Sequence, residues 1–292
     1  MNEQQEQKEF GIRLVSIRDF KNKDFTKSNN FLNSFYEDLN LREVKIINTL
    51  LYVFSTYSKL TKNDEIKKEW FPNVFKKEGF FGFHYQELIK LMNCDKTNIT
   101  LFELEENLEN IRKKSLKYIK FNDTQSIKTY TSFITKFQII KQKDLFNNEI
   151  VKDTTINIYF DKNLYQDIFE YTKVGYTLLN IDINKIKSKM GIGLYEELQR
   201  ITPLKQIKKK SNSDYSVSNK FKQIHSYTLE ELNSICGTNY KYLSKIMEGL
   251  EVQYKKLIKK NLVNDIYKFH ISNKKIEIEI VRMKFESDDD IF

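Results

Sequence analysis

Apolar residues recur at helical spacing through residues 39–59, LNLREVKIINTLLYVFSTYSK, where Leu41, Val44, Ile47, Leu50, Leu51 and Phe54 define one wide face. Asn40 stands where the N-cap of that helix belongs, and Glu43 stands three residues on, where a capping-box acid reaches back. Further along, INIYFDKNL (156–164) alternates Ile156, Ile158 and Phe160 as a strand does, then runs into the helix-like YQDIFEY. The sharpest succession lies at 227–285. There YTLEELNSIC predicts a short helix, GTN a tight turn, YKYLSKIMEGLEVQYKKLIKK a long basic helix, and YKFHISNKKIEIEIVRMKF a β-hairpin. That order predicts a winged helix-turn-helix, a fold whose second helix commonly enters the major groove of DNA.

A fainter copy lies about half a chain earlier. FHYQELIKLM (83–92) precedes a helical run from Leu101 to Lys114 and the strand-like SLKYIKF and SFITKFQII, and the pairs Glu87-Leu88 and Glu231-Leu232 align at a spacing of 144 residues. The predicted class is therefore α+β, with two tandem winged helix-turn-helix domains that are mostly helical and carry small antiparallel β-hairpin wings. The expected divisions are a polar, partly disordered segment at 1–36, a first domain at 37–170, a second at 171–285 and an acidic tail at 286–292. The hairpin from Leu116 to Ile140 is the expected first wing, with FNDTQSIKTY at its tip. YTLLNIDINKIKSKMGIGLYEELQRI (176–201) opens the second domain, with Leu178, Ile181, Ile186, Leu194 and Leu198 as core and Gly191 and Gly193 permitting a close turn before LYEELQRI. The basic, poorly periodic 202–223 reads as an exposed loop. In the mobile-looking 62–79, Trp70, Phe71 and Phe75 are expected to pin the connection to the core rather than read bases.

The chain's 292 residues suffice for two domains with their own cores, and two prolines, eight glycines and 39 Phe plus Tyr describe a largely ordered chain. No run approaches the roughly 18 apolar residues of a membrane span, and no apolar signal core opens the sequence, so a cytoplasmic protein is expected. Cys94 and Cys236 form no CxxC pair, which argues against zinc. The net charge of +9 is unevenly spread: residues 1–200 hold 32 Lys/Arg against 28 Asp/Glu, whereas 201–285 hold 17 against 8. Positive charge gathers on the clearer helix-turn-helix, as a phosphate-binding surface requires.

Within that region Tyr240, Leu243, Met247, Leu250, Tyr254, Leu257 and Ile258 form the expected apolar stripe, and Lys241, Tyr242, Lys245 and Glu248 fall largely on another face. Two readings stand for Glu248, as an acceptor from a cytosine amino group or as a solvated partner of Lys245. Lys208, Lys209 and Lys210 in the loop, and Asn273, Lys274 and Lys275 at the second wing tip, suit phosphate contacts, although charge runs on loops also serve solvation alone. In the first domain Arg112 and Lys113 end the corresponding helix, but Glu103, Glu105, Glu106 and Glu109 before them would repel phosphate, so that domain is expected to be the weaker reader or mainly a dimerisation element. His84, His225 and His270 are solitary, and neither a His-x-His metal pair nor a GxxxxGK[ST] loop occurs, so catalysis and cofactors are not expected.

LNLREVKIINTLLYVFS, INIYFDKNLYQDIFE and above all YTLLNIDINKIKSKMGIGLYEEL, in that order, resemble the initiator (Rep) family of iteron-controlled bacterial plasmids. The resemblance covers about residues 38–285. It implies two winged-helix domains on one repeated origin sequence in double-stranded DNA, the second domain being the principal reader. It also implies homodimers through the first domain for autoregulation and copy control, and recruitment of a host initiator and helicase. Where family members carry a basic cluster in the second recognition helix, this chain has Met247-Glu248-Gly249. Alternatives are a tandem winged-helix transcriptional repressor and a protein-interaction scaffold. The end of the chain, with Asp288, Asp289, Asp290, Ile291 and Phe292, resembles the acidic tip of bacterial single-stranded-DNA-binding proteins, which docks on replication proteins. A solubilising tail is the other reading. Removing Ile291 and Phe292 separates the two: a docking tip loses capture of a host replication factor with duplex binding intact, and a solubilising tail loses neither.

Overall fold

The N-cap expected at Asn40 is in place. Its Oδ1 accepts from the Glu43 amide at 2.9 Å and Glu43 Oε2 accepts from the Asn40 amide at 2.8 Å, so two otherwise unpaired donors are satisfied reciprocally. The computed structural model describes residues 23–28, 38–60, 80–92, 99–121, 126–143, 149–160, 176–202, 224–264 and 266–280, in two compact units that divide between Lys187 and Ser188.

In chain order the first unit contains β1 (Asp24–Ser28), α1 (Leu41–Leu60), β2 (Phe80–His84), α2 (Tyr85–Leu91), α3 (Leu101–Lys113), β3 (Ser115–Phe121), β4 (Ser126–Ser132), β5 (Ile134–Lys143), β6 (Glu149–Phe160), β7 (Tyr176–Asn180) and a 3-10 turn (Ile181–Lys185). Val44, Ile47, Leu50, Leu51 and Phe54 of α1 are buried, joined by Ile46 and Val53. Phe54 meets Phe81 of β2 and Phe160 of β6 edge-on, with ring centroids 4.9 and 4.5 Å apart, the geometry aromatic quadrupoles favour. Glu43, 1 % exposed, is compensated by the Lys114 ammonium at 2.6 Å, which a buried carboxylate requires.

Three expectations change in this unit. Residues 24–28, assigned to the polar N-terminal segment, form a strand that buries Phe25 and pairs antiparallel with β7 from Asp24↔Asn180 to Ser28↔Tyr176. Residues 176–185, assigned to the second domain from its start at 171, therefore belong here. The 3-10 turn after β7 packs on α1, where Asn184 Nδ2 donates to Thr49 Oγ1 at 3.0 Å. The stretch Leu116–Ile140 is not one wing: β3 and β4 pair with each other in a separate two-stranded sheet, while β5 pairs with β6 in a three-stranded antiparallel sheet of order β2-β6-β5. Ile156, Ile158 and Phe160 are buried as the alternation predicts.

The second unit contains α4 (Lys189–Ile201), β8 (Ile224–Tyr227), α5 (Leu229–Cys236), α6 (Leu243–Lys259), β9 (Tyr267–Ser272) and β10 (Lys275–Ile280), the strands forming an antiparallel sheet of order β8-β10-β9. Leaving aside the β1–β7 and β3–β4 pairs, which only the first unit has, both units run helix, strand, helix, helix and two further strands, with the last of these strands in the middle of its three-stranded sheet. The spacing of 144 residues holds for the strand starts Phe80 and Ile224, the N-caps His84 and Thr228 and the helix starts Tyr85 and Leu229. Ten strands and six α-helices are found among the described residues, so the chain is more evenly mixed α+β than the mostly helical expectation. No helix among them is long and apolar enough to cross a membrane.

Gly191 and Gly193 lie inside α4, not in a turn before it. The helix begins at Lys189, five residues before the expected LYEELQRI, because Ser188 caps it, its Oγ accepting from the Gly191 amide at 3.0 Å. Gly193 sits where α4 and α5 nearly touch: a Cβ there would fall 2.1 Å from the Ile235 carbonyl oxygen. On the next turn, buried Glu197 pairs with Arg200 and accepts from the Tyr227 hydroxyl, and burial together with that carboxylate pushes the phenol well above its ordinary pKa. Burial likewise pushes the Cys236 thiol up to about 12, leaving it inert.

Gly193→Ala is expected to destabilise the second unit by ~1–3 kcal/mol through overpacking against backbone that cannot yield. Gly249→Ala, whose added Cβ would meet the flexible end of Met190 at 2.7 Å, is expected to fall near neutral, since helix propensity offsets the contact. Urea unfolding followed by circular dichroism measures both.

Candidate nucleic-acid interface

The junction between α5 and α6 is built by short-range polar contacts. Thr228 starts α5 with a capping box, Oγ1 accepting from the Glu231 amide at 3.2 Å and the Glu231 carboxylate accepting from the Thr228 amide at 2.7 Å. Gly237 ends it in the left-handed region at φ 58°, which only glycine adopts without strain. Across the turn, Asn233 Oδ1 accepts from the Tyr240 amide and the Thr238 hydroxyl, both at 2.9 Å, and Nδ2 donates to the Tyr240 carbonyl, also at 2.9 Å. One carboxamide therefore fixes where Lys241, Tyr242 and α6 begin.

Ile246, Leu250, Tyr254 and Leu257 are the buried side of α6. Ile246 replaces Met247 of the expected stripe, which is half-buried. Turned outward are Lys241, Tyr242, Lys245 and Glu248, then Val252, Lys255, Lys256 and Lys259. Tyr242 is 69 % exposed although it is a large aromatic residue. Tyr240 is half-buried, its hydroxyl against Gly249, so it supports the turn rather than projecting from it. Lys245 Nζ lies 3.0 and 3.3 Å from the two carboxylate oxygens of Glu248.

The β9–β10 hairpin is tied to the same helix by Tyr254, whose hydroxyl accepts from the Tyr267 amide at 3.0 Å and donates to the Asn264 carbonyl at 3.1 Å. Ser272 pairs with Lys275, leaving a two-residue loop of Asn273 (φ 49°) and Lys274 (φ 59°). Two consecutive positive φ values describe a type I′ hairpin turn, in which glycine is the usual occupant of the second position. Lys274 there costs ~1 kcal/mol relative to an unstrained backbone and places an ammonium at the apex. On the hairpin's flank His270 Nε2 contacts Glu277 Oε2 at 2.9 Å.

No protein-family model and no curated protein matches the chain. Solved structures that are similar include two of RctB domains 2 and 3. One, of selenomethionine derivatives of domains 2 and 3 of RctB, aligns with a TM-score of 0.47 and 8 % identity over 92 % of this chain and 94 % of that one. The other, of RctB domains 2-3, aligns with a TM-score of 0.39 and 9 % identity over 92 % and 90 %.

The expected contact residues of the second unit thus stand in two groups, Lys241, Tyr242, Lys245 and Glu248 around the start of α6 and Asn273, Lys274 and Lys275 at the hairpin tip, all exposed. Lys208, Lys209, Lys210 and the tail from Asp288 to Phe292 lie outside the described residues, as do Trp70, Phe71, Phe75, Cys94 and the YQDIFEY segment. In the first unit Arg112 is clamped to Glu109 by two hydrogen bonds of 2.7 Å, and Lys113 approaches the same carboxylate at 3.3 Å. The Arg112 hydrogen bond holds the Glu109 carboxyl down at about 2, so the clamp persists across the ordinary pH range. The outward side of α3 carries Phe102, Glu105 and Glu106 instead. Sequence reasoning missed Asn233. Its signal was a poor helix former four residues before a helix-ending glycine.

Asn233→Ala removes three hydrogen bonds, each worth ~1 kcal/mol, and is expected to destabilise the second unit by ~2–3 kcal/mol. Hydrogen exchange should quicken first at the Tyr240 amide, whose acceptor is the lost carboxamide oxygen. Unchanged protection there would show that the turn holds without the carboxamide.

Proposed function

We propose that this chain is a sequence-specific double-stranded-DNA-binding protein with two winged-helix units, acting as a replication initiator of the plasmid type. The observation that carries the reading is in the second unit: two helices joined by a tight turn expose Lys241 and Tyr242 on the turn and Lys245 at the start of the long second helix, and a hairpin behind it ends in Lys274 and Lys275. A helix presented in this way fits a major groove, and lysines on turns hold phosphates. The region's charge surplus, 17 Lys/Arg against 8 Asp/Glu in residues 201–285, supports the same reading.

In this proposal the second unit is the main reader of direct repeats at an origin, and the first unit serves self-association. The acidic outward side of α3 and the clamped Arg112 and Lys113 support that division. The replication role, autoregulation through the chain's own promoter, action in the cytoplasm and recruitment of a host initiator and helicase rest on the resemblance of residues 38–285 to plasmid initiators. The chain then acts by binding, with no chemistry of its own on DNA and no cofactor.

Footprinting on the DNA that flanks the gene is expected to protect a row of direct repeats beside an AT-rich stretch. A single protected palindrome would make the protein a repressor, and affinity indifferent to salt would make it a scaffold. Lys274→Gly should raise stability by ~1 kcal/mol through relief of the left-handed backbone. In the same variant DNA affinity should fall and the salt slope shrink by about one. Arg112→Ala should leave affinity within about twofold, as expected for a side chain withheld from phosphate.

A further inference from the structure

Glu248 is out of place on a surface meant for phosphates. It lies on the solvent side of α6 with Lys245, Lys255, Lys256 and Lys259, where a carboxylate opposes every phosphate nearby. Stability does not explain it. The Lys245 and Glu248 side chains are 62 % and 65 % exposed, and a pair one helical turn apart in water adds little to stability. Glu248 has no part in the cap, in the turn held by Asn233, or in the buried side of the helix.

What the two side chains offer together is a donor and an acceptor held 3.0 Å apart and directed outward from the first two turns of the helix, where recognition helices place their base contacts. In the major groove a G·C pair shows guanine N7 and O6 as adjacent acceptors and the cytosine N4 amino group as a donor. O6 and N4 are joined by the Watson-Crick hydrogen bond and so lie about 2.9 Å apart. Resting on the DNA-binding reading above, we propose that the Lys245–Glu248 pair reads one G·C base pair, the ammonium donating to guanine O6 and N7 and the carboxylate accepting from cytosine N4. An A·T pair fits worse. Its single central donor is flanked by separated acceptors, and an ammonium on thymine O4 crowds the C5 methyl group. The pair thus supplies base discrimination at a position where the chain lacks the basic cluster of the initiators it resembles.

The test is selection of bound duplexes from a randomised library by the full chain, followed by titration of the selected site and its single-pair variants. Wild type is expected to select a G·C pair at one position and to lose affinity about 10-fold or more when that pair becomes A·T. Glu248→Ala should reduce that penalty to less than about threefold and leave preferences elsewhere in the site unchanged. Glu248→Gln should shift the position toward A·T, because a carboxamide suits adenine N6 and N7. Circular dichroism confirms folding, which substitution of so exposed a side chain leaves intact. If Glu248→Ala keeps the wild-type G·C preference at every position, the proposal is overturned while the DNA-binding reading stands. If wild type binds no duplex at all, both fall.

Discussion

The side chain of Asn233 converts two helices into a presented surface. A turn of six residues between α5 and α6 has several peptide groups that neither helix can satisfy, and each left unpaired in a partly buried place costs ~1–3 kcal/mol. One carboxamide supplies two acceptor contacts and a donor to Thr238 and Tyr240. That fixes the backbone immediately before Lys241 and Tyr242 and so the direction in which α6 leaves the core. The close approach of α4 at Gly193 holds the end of α5, from which that turn departs. Everything proposed for the outward face of α6 depends on these two local constraints, because a reader that must first be ordered on DNA loses affinity to the entropy of ordering it.

Two units with one strand order have acquired opposite surfaces. Their strand starts, N-caps and second helices stay in register at a spacing of 144 residues, and Leu88 and Leu232 are both buried. Cores constrain the buried positions alike, whereas nothing in the fold dictates the charge of a solvent face. On α6 that face is rich in lysine. On α3 it shows Glu105, Glu106 and a 75 % exposed Phe102, with the basic residues at its end held by Glu109. Common topology is therefore compatible with different partners for the two units, and function has to be argued from each surface separately.

Much of this was legible in the sequence because it is local. The Asn40–Glu43 cap, the apolar side of α1 and the alternation of Ile156, Ile158 and Phe160 follow from spacings of three, four and two residues. What the sequence left hidden is long-range. DFTKS becomes a strand through β7, some 150 residues later, and the polar character of residues 1–36 conceals that Phe25 is inward. The same pairing moves residues 176–185 into the first unit. Gly191 and Gly193 read as a turn because glycine usually breaks helices, but Gly193 is retained inside α4 by the Ile235 carbonyl beside it, which no spacing rule encodes. For the candidate interface, residue identities at the start of α6 were readable and their support was not. Asn233 looks like any polar residue until the turn is folded.

Lys274 and Glu248 are the two points at which the second unit departs from what folding or phosphate binding alone would select. A glycine at the wing apex would relax the backbone, and a lysine or serine at 248 would suit a polyanion better. Both departures lie on exposed side chains, and neither is compensated by packing. They differ in what they can contribute. An ammonium on a two-residue turn can hold a phosphate of any sequence, since every nucleotide supplies one. A carboxylate has no favourable partner on the phosphate backbone, so its useful contacts are with amino groups on base edges. On the proposed reading Lys245 completes that arrangement, since its ammonium, 3.0 Å from the Glu248 carboxylate, sets a donor beside the acceptor. On the proposed reading the hairpin tip and the start of α6 divide the work as position and sequence are divided on DNA itself, one group answering to phosphate and the other to bases.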